Sequence, residues 1–449
     1  MIRMLLSDAA QLLGCTGHDG NTSFRGITTD SRRVEAGMLF AALVGGRSDG
    51  HDFVAAAVDA GAAAVLVSKP LDRSFPQLVV DDVLRALGTL ASSWRSVVEP
   101  CVVGITGSNG KTTTKEMVRN ILVGNATVLS TSGNQNNELG LPLTLFRLDC
   151  NDQFAVLEMG AGKAGDIHYL SQIAPPHVGL VCNVGPAHLL GFGDEEGVAR
   201  AKGEMFAALP ADGFAVINAD EPWSVLWQKM STANNTITFG RQDSCHVHPV
   251  YYEQGCLMVT PGGDFPLQLA LPGDHNVQNA LAATAVCLAL DVPLDQIRHG
   301  LEITQPVPGR LNRVHADAGW TVIDDTYNAN PASLYAALQV LARERGEPWL
   351  VLGDMKELGR NSRKMHAEMG QAAQALGVRR LFAIGKVTPA TVEAFGAGGR
   401  HFKDIETLVH ALCSELQPGV ACLVKGSRSM GMEQVVRAIS SPCDIREAG

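Results

Sequence analysis

The chain has 449 residues, 46% hydrophobic and 18% charged, enough apolar material for several cores and too much for dominant disorder. At on the order of 100–200 residues per domain, two to four domains are expected. The 36 Lys and Arg against 46 Asp and Glu leave a net charge of −10 with no basic run, which argues against sequence-independent nucleic-acid binding but not against a small, locally held anion.

The N-terminal apolar stretch is interrupted at Ser7 and Asp8, too early for a signal-peptide core. The longest small-apolar run, Ala280 to Leu290, is too short to cross a bilayer. Ten cysteines occur without Cys-x-x-Cys pairs, and Cys101, Cys182, Cys287 and Cys422 sit in apolar runs. That usage predicts buried thiols in a reducing compartment, hence a cytoplasmic protein without membrane insertion. Cys245-His246-Val247-His248 has no second ligand pair nearby and reads more simply as part of a polar strand-rich stretch.

The predicted fold class is α/β in three domains. Residues 1–82 form a small α/β N-terminal domain, with short strands at 38–43, 63–67 and 77–80 and a helix near 52–60 ending at Gly61. Residues 83–308 form a central P-loop ATPase-type domain with a parallel or mixed sheet. Its strands fall at 101–106, 154–157, 178–184 and 215–217, followed by a β excursion over 241–270. Pro306-Val307-Pro308-Gly309 punctuates the chain. Residues 309–449 alternate strands (320–323, 349–352, 381–384, 421–424) with helical patterns, which predicts a Rossmann-like, doubly wound sheet.

The strongest chemical signal is Thr106-Gly107-Ser108-Asn109-Gly110-Lys111-Thr112-Thr113, lying between an apolar strand and an amphipathic helix. Such a turn presents backbone N–H groups to an anion at a helix N-terminus. Lys111 supplies a cation for the β- and γ-phosphates, and the Thr112 hydroxyl is a Mg²⁺ ligand. The spacing is a variant of the usual loop, with five residues after Gly104 or two after Gly107 before Gly110-Lys111. Glu158 ends the strand at 154–157, and His188 follows the strand at 178–184. In a parallel sheet both reach the crevice of Lys111. Read alone, Glu158 also suits a structural carboxylate. Lys202 shares a helical face with Val198, Met205 and Leu209; desolvation there would make its amine nucleophilic, but the pattern by itself favours snorkelling of the head group to water.

Together these residues resemble the Mur ligases, ATP-dependent enzymes that build the peptide of bacterial peptidoglycan precursors, and the resemblance runs through the whole chain. It implies ATP and Mg²⁺ as cofactors, with Thr112, Glu158, His188 and Lys202 on the metal side and Lys202 as a carbamate. Lys111, Lys202, His188 and Arg310 would be the catalytic group. Asn279, in His275-Asn276-Val277-Gln278-Asn279, matches the adenine-side asparagine; Arg310 after Pro308-Gly309 matches the hinge-side arginine, and Asp325 the ribose contact.

Thr131–Asn137, Asp324–Asn330, Gly353–Gly359 and Lys425–Ser429 resemble the branch joining D-alanyl-D-alanine to a UDP-N-acetylmuramoyl-tripeptide. The Asp-Asn-Pro-Arg selector of the sister branch is missing. The resemblance then implies those two small molecules as partners of a monomer. It places Ser31 and Arg32 at the uridine, and Asn134, Asn137, Tyr327, Asn328, Lys425, Ser427 and Arg428 on the substrate side. Two alternatives stay open: another Mur-type ligase adding a single amino acid, and a P-loop switch or ATPase without ligase activity.

Overall fold

The computed structural model describes residues 1–15, 21–46, 48–71, 75–186, 189–253 and 255–440. It is an α/β protein built on three mainly parallel sheets in sequence order, with a two-stranded antiparallel pair, Arg3–Leu5 and Ser23–Arg25, before the first and a small antiparallel sheet beside the second. The first holds Ile27–Thr28, Leu39–Ala41, Ala64–Val67 and Gln77–Val79, all parallel and in chain order. Its helix, Val54–Asp59, is shorter than the sequence pattern, because Asp49 caps a 3-10 turn over Gly50–Phe53 first.

The central sheet has six parallel strands in the order Asn235–Phe239, Phe214–Asn218, Val178–Val181, Cys101–Thr106, Phe154–Glu158 and Val128–Ser130. Cys101–Thr106 is central because Val102, Val103 and Ile105 are all fully buried; a β-branched strand covered on both faces is suited to nothing else. Its two neighbours come from later, opposite directions of winding, so a crevice opens at its C-terminal end. The helix Val83–Val98 runs from an Asp82 cap, and its buried Leu87, Leu90 and Trp94 join a core shared by the first and central sheets. The β excursion is a three-stranded antiparallel meander, His248–Tyr252, Gly255–Thr260 and Gly263–Leu267.

The third sheet has the order Asn312–His315, Thr321–Asp325, Val420–Lys425, Glu347–Gly353, Arg380–Ile384 and Gly399–Phe402, parallel except at its first pair. The two edge strands were not anticipated. Asn312–His315 alternates exposed and half-buried residues, and Gly399–Phe402 carries only one buried side chain, so neither has an apolar run to announce it. Among the described residues no helix is long and apolar enough to cross a membrane, no cluster of three His, Cys, Asp or Glu side chains is arranged to hold a metal, and eight cysteines are free thiols.

Candidate active site

A cavity of about 1100 Å³ opens at the C-terminal end of the central sheet and is walled on its far side by the third region. It begins at the loop between Cys101–Thr106 and the helix Lys111–Val123. Gly110, the residue before that helix, holds φ at +81°, and a Cβ there would overlap Asn279 Oδ1. Glycine is therefore required by both backbone conformation and a close approach. Asn279 is buried; its Oδ1 accepts from Thr114 Oγ (3.3 Å), and its Nδ2 donates to Asn276 Oδ1 (3.0 Å).

Thr112 is the meeting point of three elements. Its hydroxyl donates to Glu158 Oε2 (2.8 Å), and the same oxygen accepts from Arg310 Nη2 (2.8 Å). Asn136 Nδ2 donates to the other oxygen of Glu158 (2.8 Å), and Glu158 is itself 1% exposed. A buried carboxylate is tolerable here because both oxygens are satisfied and cations stand nearby. Lys111 Nζ donates to Gly107 O (2.7 Å), curling over its own loop. Burial pushes the Lys111 amine down, Glu158 opposes this, and Arg310 adds to it.

Lys202 is 3% exposed on the helix Glu195–Ala207 and lines the cavity. Burial, reinforced by Lys111 and opposed by Cys182, lowers its amine to about 7. The snorkelling that the sequence pattern favours is thereby corrected: the head group of Lys202 stays buried and desolvated. Glu221, also in the lining, is pushed up to about 7 by burial against a backbone N–H from Val184. His275 falls to about 4 through burial and the charge of Lys425.

The third region supplies Arg310, Asp325, Tyr327, Asn328 and Lys425 to the same cavity. The Arg310 guanidinium lies 4.1 Å over the Tyr327 ring, and Arg428 approaches the ring at 5.9 Å. Tyr327 N donates to Gly309 O (3.0 Å), tying the ring to the turn that carries Arg310. Lys425 Nζ forms an ion pair with Asp325 and donates to Asn328 O (2.9 Å). Burial drives the Asp325 carboxyl up, opposed by Lys425. Ser427 is buried outside the cavity lining: its hydroxyl accepts from Lys356 N (2.8 Å) and donates to Ala329 O (3.5 Å).

The remaining sequence candidates divide clearly. Gly107, Ser108 and Asn109 line the cavity with Thr113, and Asn137 joins them although its Oδ1 is occupied by Gly140 N (2.9 Å). Thr106 is buried beneath the loop, and Asn134 is exposed outside the lining. Ser31 and Arg32 belong to the first region, where Arg32 pairs with Asp30 (2.8 Å) and is largely solvent-exposed; neither lines this cavity. His188 lies outside the described residues.

Sequence reasoning passed over four asparagines. Asn136 holds Glu158, and Asn276 orients Asn279. Asn183 Oδ1 accepts from Asn109 N (2.9 Å), and Asn330 Nδ2 donates to Asn109 Oδ1 (2.8 Å). The usable signal was position: Asn136 sits in an Asn-Gln-Asn-Asn run and Asn183 just past a strand end. Their partners were invisible.

A parallel sheet with a phosphate-type loop at its switch point, walled by a doubly wound region that places an arginine on the loop threonine, defines a multidomain P-loop nucleotide enzyme. Family models agree in detail: the Mur ligase catalytic domain matches residues 23–95, the Mur ligase middle domain 105–287, and the Mur ligase glutamate ligase domain 309–428. The chain belongs to the Mur ligase family of ATP-dependent ligases. It is 41% identical to the UDP-N-acetylmuramoyl-tripeptide–D-alanyl-D-alanine ligase of Escherichia coli (strain K12), over 98% of this chain and 99% of that one. It is 36% identical to the ligase of that name from Bacillus subtilis (strain 168), over 94% of each chain. A crystal structure of MurF from Acinetobacter baumannii superposes with a TM-score of 0.91 at 35% identity, covering 98% of this chain and 99% of that one. The MurF ligase of Thermotoga maritima in complex with ADP gives 0.81 at 29% identity, covering 93% and 97%.

Proposed function

We propose that the protein joins D-alanyl-D-alanine to UDP-N-acetylmuramoyl-tripeptide at the expense of ATP, in peptidoglycan precursor synthesis. The observation that carries this reading is the convergence of Arg310, Thr112 and Glu158, because it joins the third region to the phosphate loop at one hydroxyl. The relatives' names supply the substrates. A nucleotide switch needs the loop but has no use for a cavity extending from Gly107 to Lys425.

A terminal carboxylate oxygen of the tripeptide attacks the γ-phosphorus, and the bridging oxygen leaves with ADP. The dipeptide amine, arriving neutral, then attacks the acyl carbon; phosphate leaves and the nitrogen loses a proton. Lys111 and Arg310 spread the charge of the transferring phosphoryl, and the backbone N–H groups of the loop orient it. Asn276 and Asn279 border the base end of the nucleotide, and Asp325 the ribose. Exclusion of water protects the acyl phosphate, a task for the third region over the cavity mouth.

Two of the donors also fit Mg²⁺, since the Thr112 hydroxyl and Glu158 carboxylate are hard oxygen ligands side by side; the family resemblance adds His188 and a carbamylated Lys202 as expected partners. When bound, the ion neutralises phosphate charge. The carbamate has an electrostatic rationale, since it would turn a second buried cation beside Lys111 into an anion. The first region, with Ser31 and Arg32, is assigned to the uridine end. On this reading residues 1–82, 83–308 and 309–449 handle the UDP substrate, the ATP chemistry, and the dipeptide with closure.

The test is ADP release. It should require both the UDP-tripeptide and D-alanyl-D-alanine. Turnover without acceptor would instead indicate an ATPase, and turnover with a free amino acid a sister ligase.

A further inference from the structure

Asn330 is the N-cap of the helix Pro331–Arg343, the first helix after the strand carrying Asp325. Its Oδ1 accepts from Ser333 N (2.9 Å), and Ser333 Oγ returns a bond from Asn330 N (3.1 Å), a complete capping box. That use consumes only the oxygen. The amide nitrogen of the same side chain leaves the third region and donates to Asn109 Oδ1 (2.8 Å) in the phosphate loop.

Asn109 is itself fixed from the other side. Its backbone N–H donates to Asn183 Oδ1 (2.9 Å) and its carbonyl accepts from Asn183 Nδ2 (3.1 Å), just beyond the strand Val178–Val181. The backbone of Asn109 is thus held by the central sheet, while its side chain reports to the third region. Serine or aspartate would cap the helix equally well, yet a carboxylate has no donor for Asn109, and the serine hydroxyl stands one bond short of the amide nitrogen that spans the 2.8 Å to Asn109. Capping alone leaves the second bond unexplained.

We infer that Asn330 is a positioning residue: it couples seating of the third region to the conformation of the phosphate loop through Asn109, so that phosphoryl transfer proceeds only with the cavity covered. This rests on the ligase reading above. Its consequence is tight coupling of ATP consumption to amide formation, because an acyl phosphate formed under a loosely seated third region meets water.

The experiment compares Asn330→Ser, Asn330→Asp and Asn330→Ala in the full chain, measuring thermal midpoint, kcat, KM for ATP and ADP released per amide formed. Ser and Asp keep the cap, so both should melt with the wild type, whereas Ala should melt lower. Losing one neutral hydrogen bond should lower kcat for ligation about fivefold to tenfold in Asn330→Ser. Asn330→Asp should fall similarly, since a carboxylate offers no donor to Asn109 Oδ1. In both, ADP per amide should rise above one while KM for ATP changes little. A role in capping alone predicts that only Asn330→Ala is impaired; Ser and Asp variants with wild-type kcat and stoichiometry would overturn the inference. Failure of the underlying reading is distinct, because it would show in the wild type as no amide product at all.

Discussion

Arg310 Nη2 donates to Thr112 Oγ across 2.8 Å, joining residues 198 positions apart in the chain. The threonine belongs to the phosphate loop's helix and the arginine to the turn opening the third region, so one hydroxyl senses both. The stacking of Arg310 on Tyr327 fixes the guanidinium plane and leaves its edge aimed at the loop.

Arg310→Ala should reduce kcat by about 10²-fold or more, the scale for removing one charge-stabilising donor from a reacting site. Arg310→Lys should recover little, because an ammonium cannot both stack on Tyr327 and donate in plane. Steady-state ligation kinetics decide this, and wild-type turnover in the alanine variant would remove Arg310 from the reaction.

Lys202→Arg keeps a buried cation but cannot form a carbamate. Ligation should therefore be lost in Lys202→Arg as fully as in Lys202→Ala. With ¹³C-labelled bicarbonate, the wild type should show a carbamate carbon signal that both variants lack. An active arginine variant would mean that Lys202 serves only as a positive charge.

Gly110→Ala should impair nucleotide binding before anything else. The new Cβ would sit on Asn279 Oδ1 at a φ of +81°, which costs an L-residue roughly 1–2 kcal/mol before any clash. Titration with ADP should show weaker binding; unchanged affinity and melting would contradict the close approach.

Asp354 gives a pH-dependent contribution to stability. Burial alone would raise its pKa, but N–H groups of Val387, Lys386 and Thr388, with Lys356, outweigh this and lower it from 3.8. The folded pKa lies below the unfolded one, so the stabilisation is complete above about pH 4 and fades as pH falls through the folded value. Asp354→Ala strands three backbone donors and should cost about 3 kcal/mol or more at neutral pH. Melting curves should show the gap to wild type narrowing in acid.

Much of the fold was legible because its information is local. The buried strands of the third sheet are apolar runs, and the structure places them at Thr321–Asp325, Glu347–Gly353, Arg380–Ile384 and Val420–Lys425. The partly exposed edge strands Asn312–His315 and Gly399–Phe402 lack that pattern, since pairing rather than burial fixes them. The site divides in the same way. A strand, a glycine turn and Lys-Thr at a helix start are contiguous, so Lys111 and Thr112 could be named from the sequence. Asn136, Asn183 and Asn330 could not, since an asparagine acquires meaning only from the partner its amide meets.

The sequence by itself determined the anion-binding loop, because backbone donors at a helix N-terminus need only consecutive residues. Strand periodicity and glycine and proline punctuation are also written along the chain, and the expectation of three regions rests on them. The tertiary structure decided which side chains share a site. Thr112 with Glu158 and Arg310, and Asn109 with Asn183 and Asn330, are pairings over 46 to 221 residues. Hydrogen bonds of about 3 Å are set by how sheets and helices dock, and that docking depends on the summed packing of several cores rather than on any short stretch of chain.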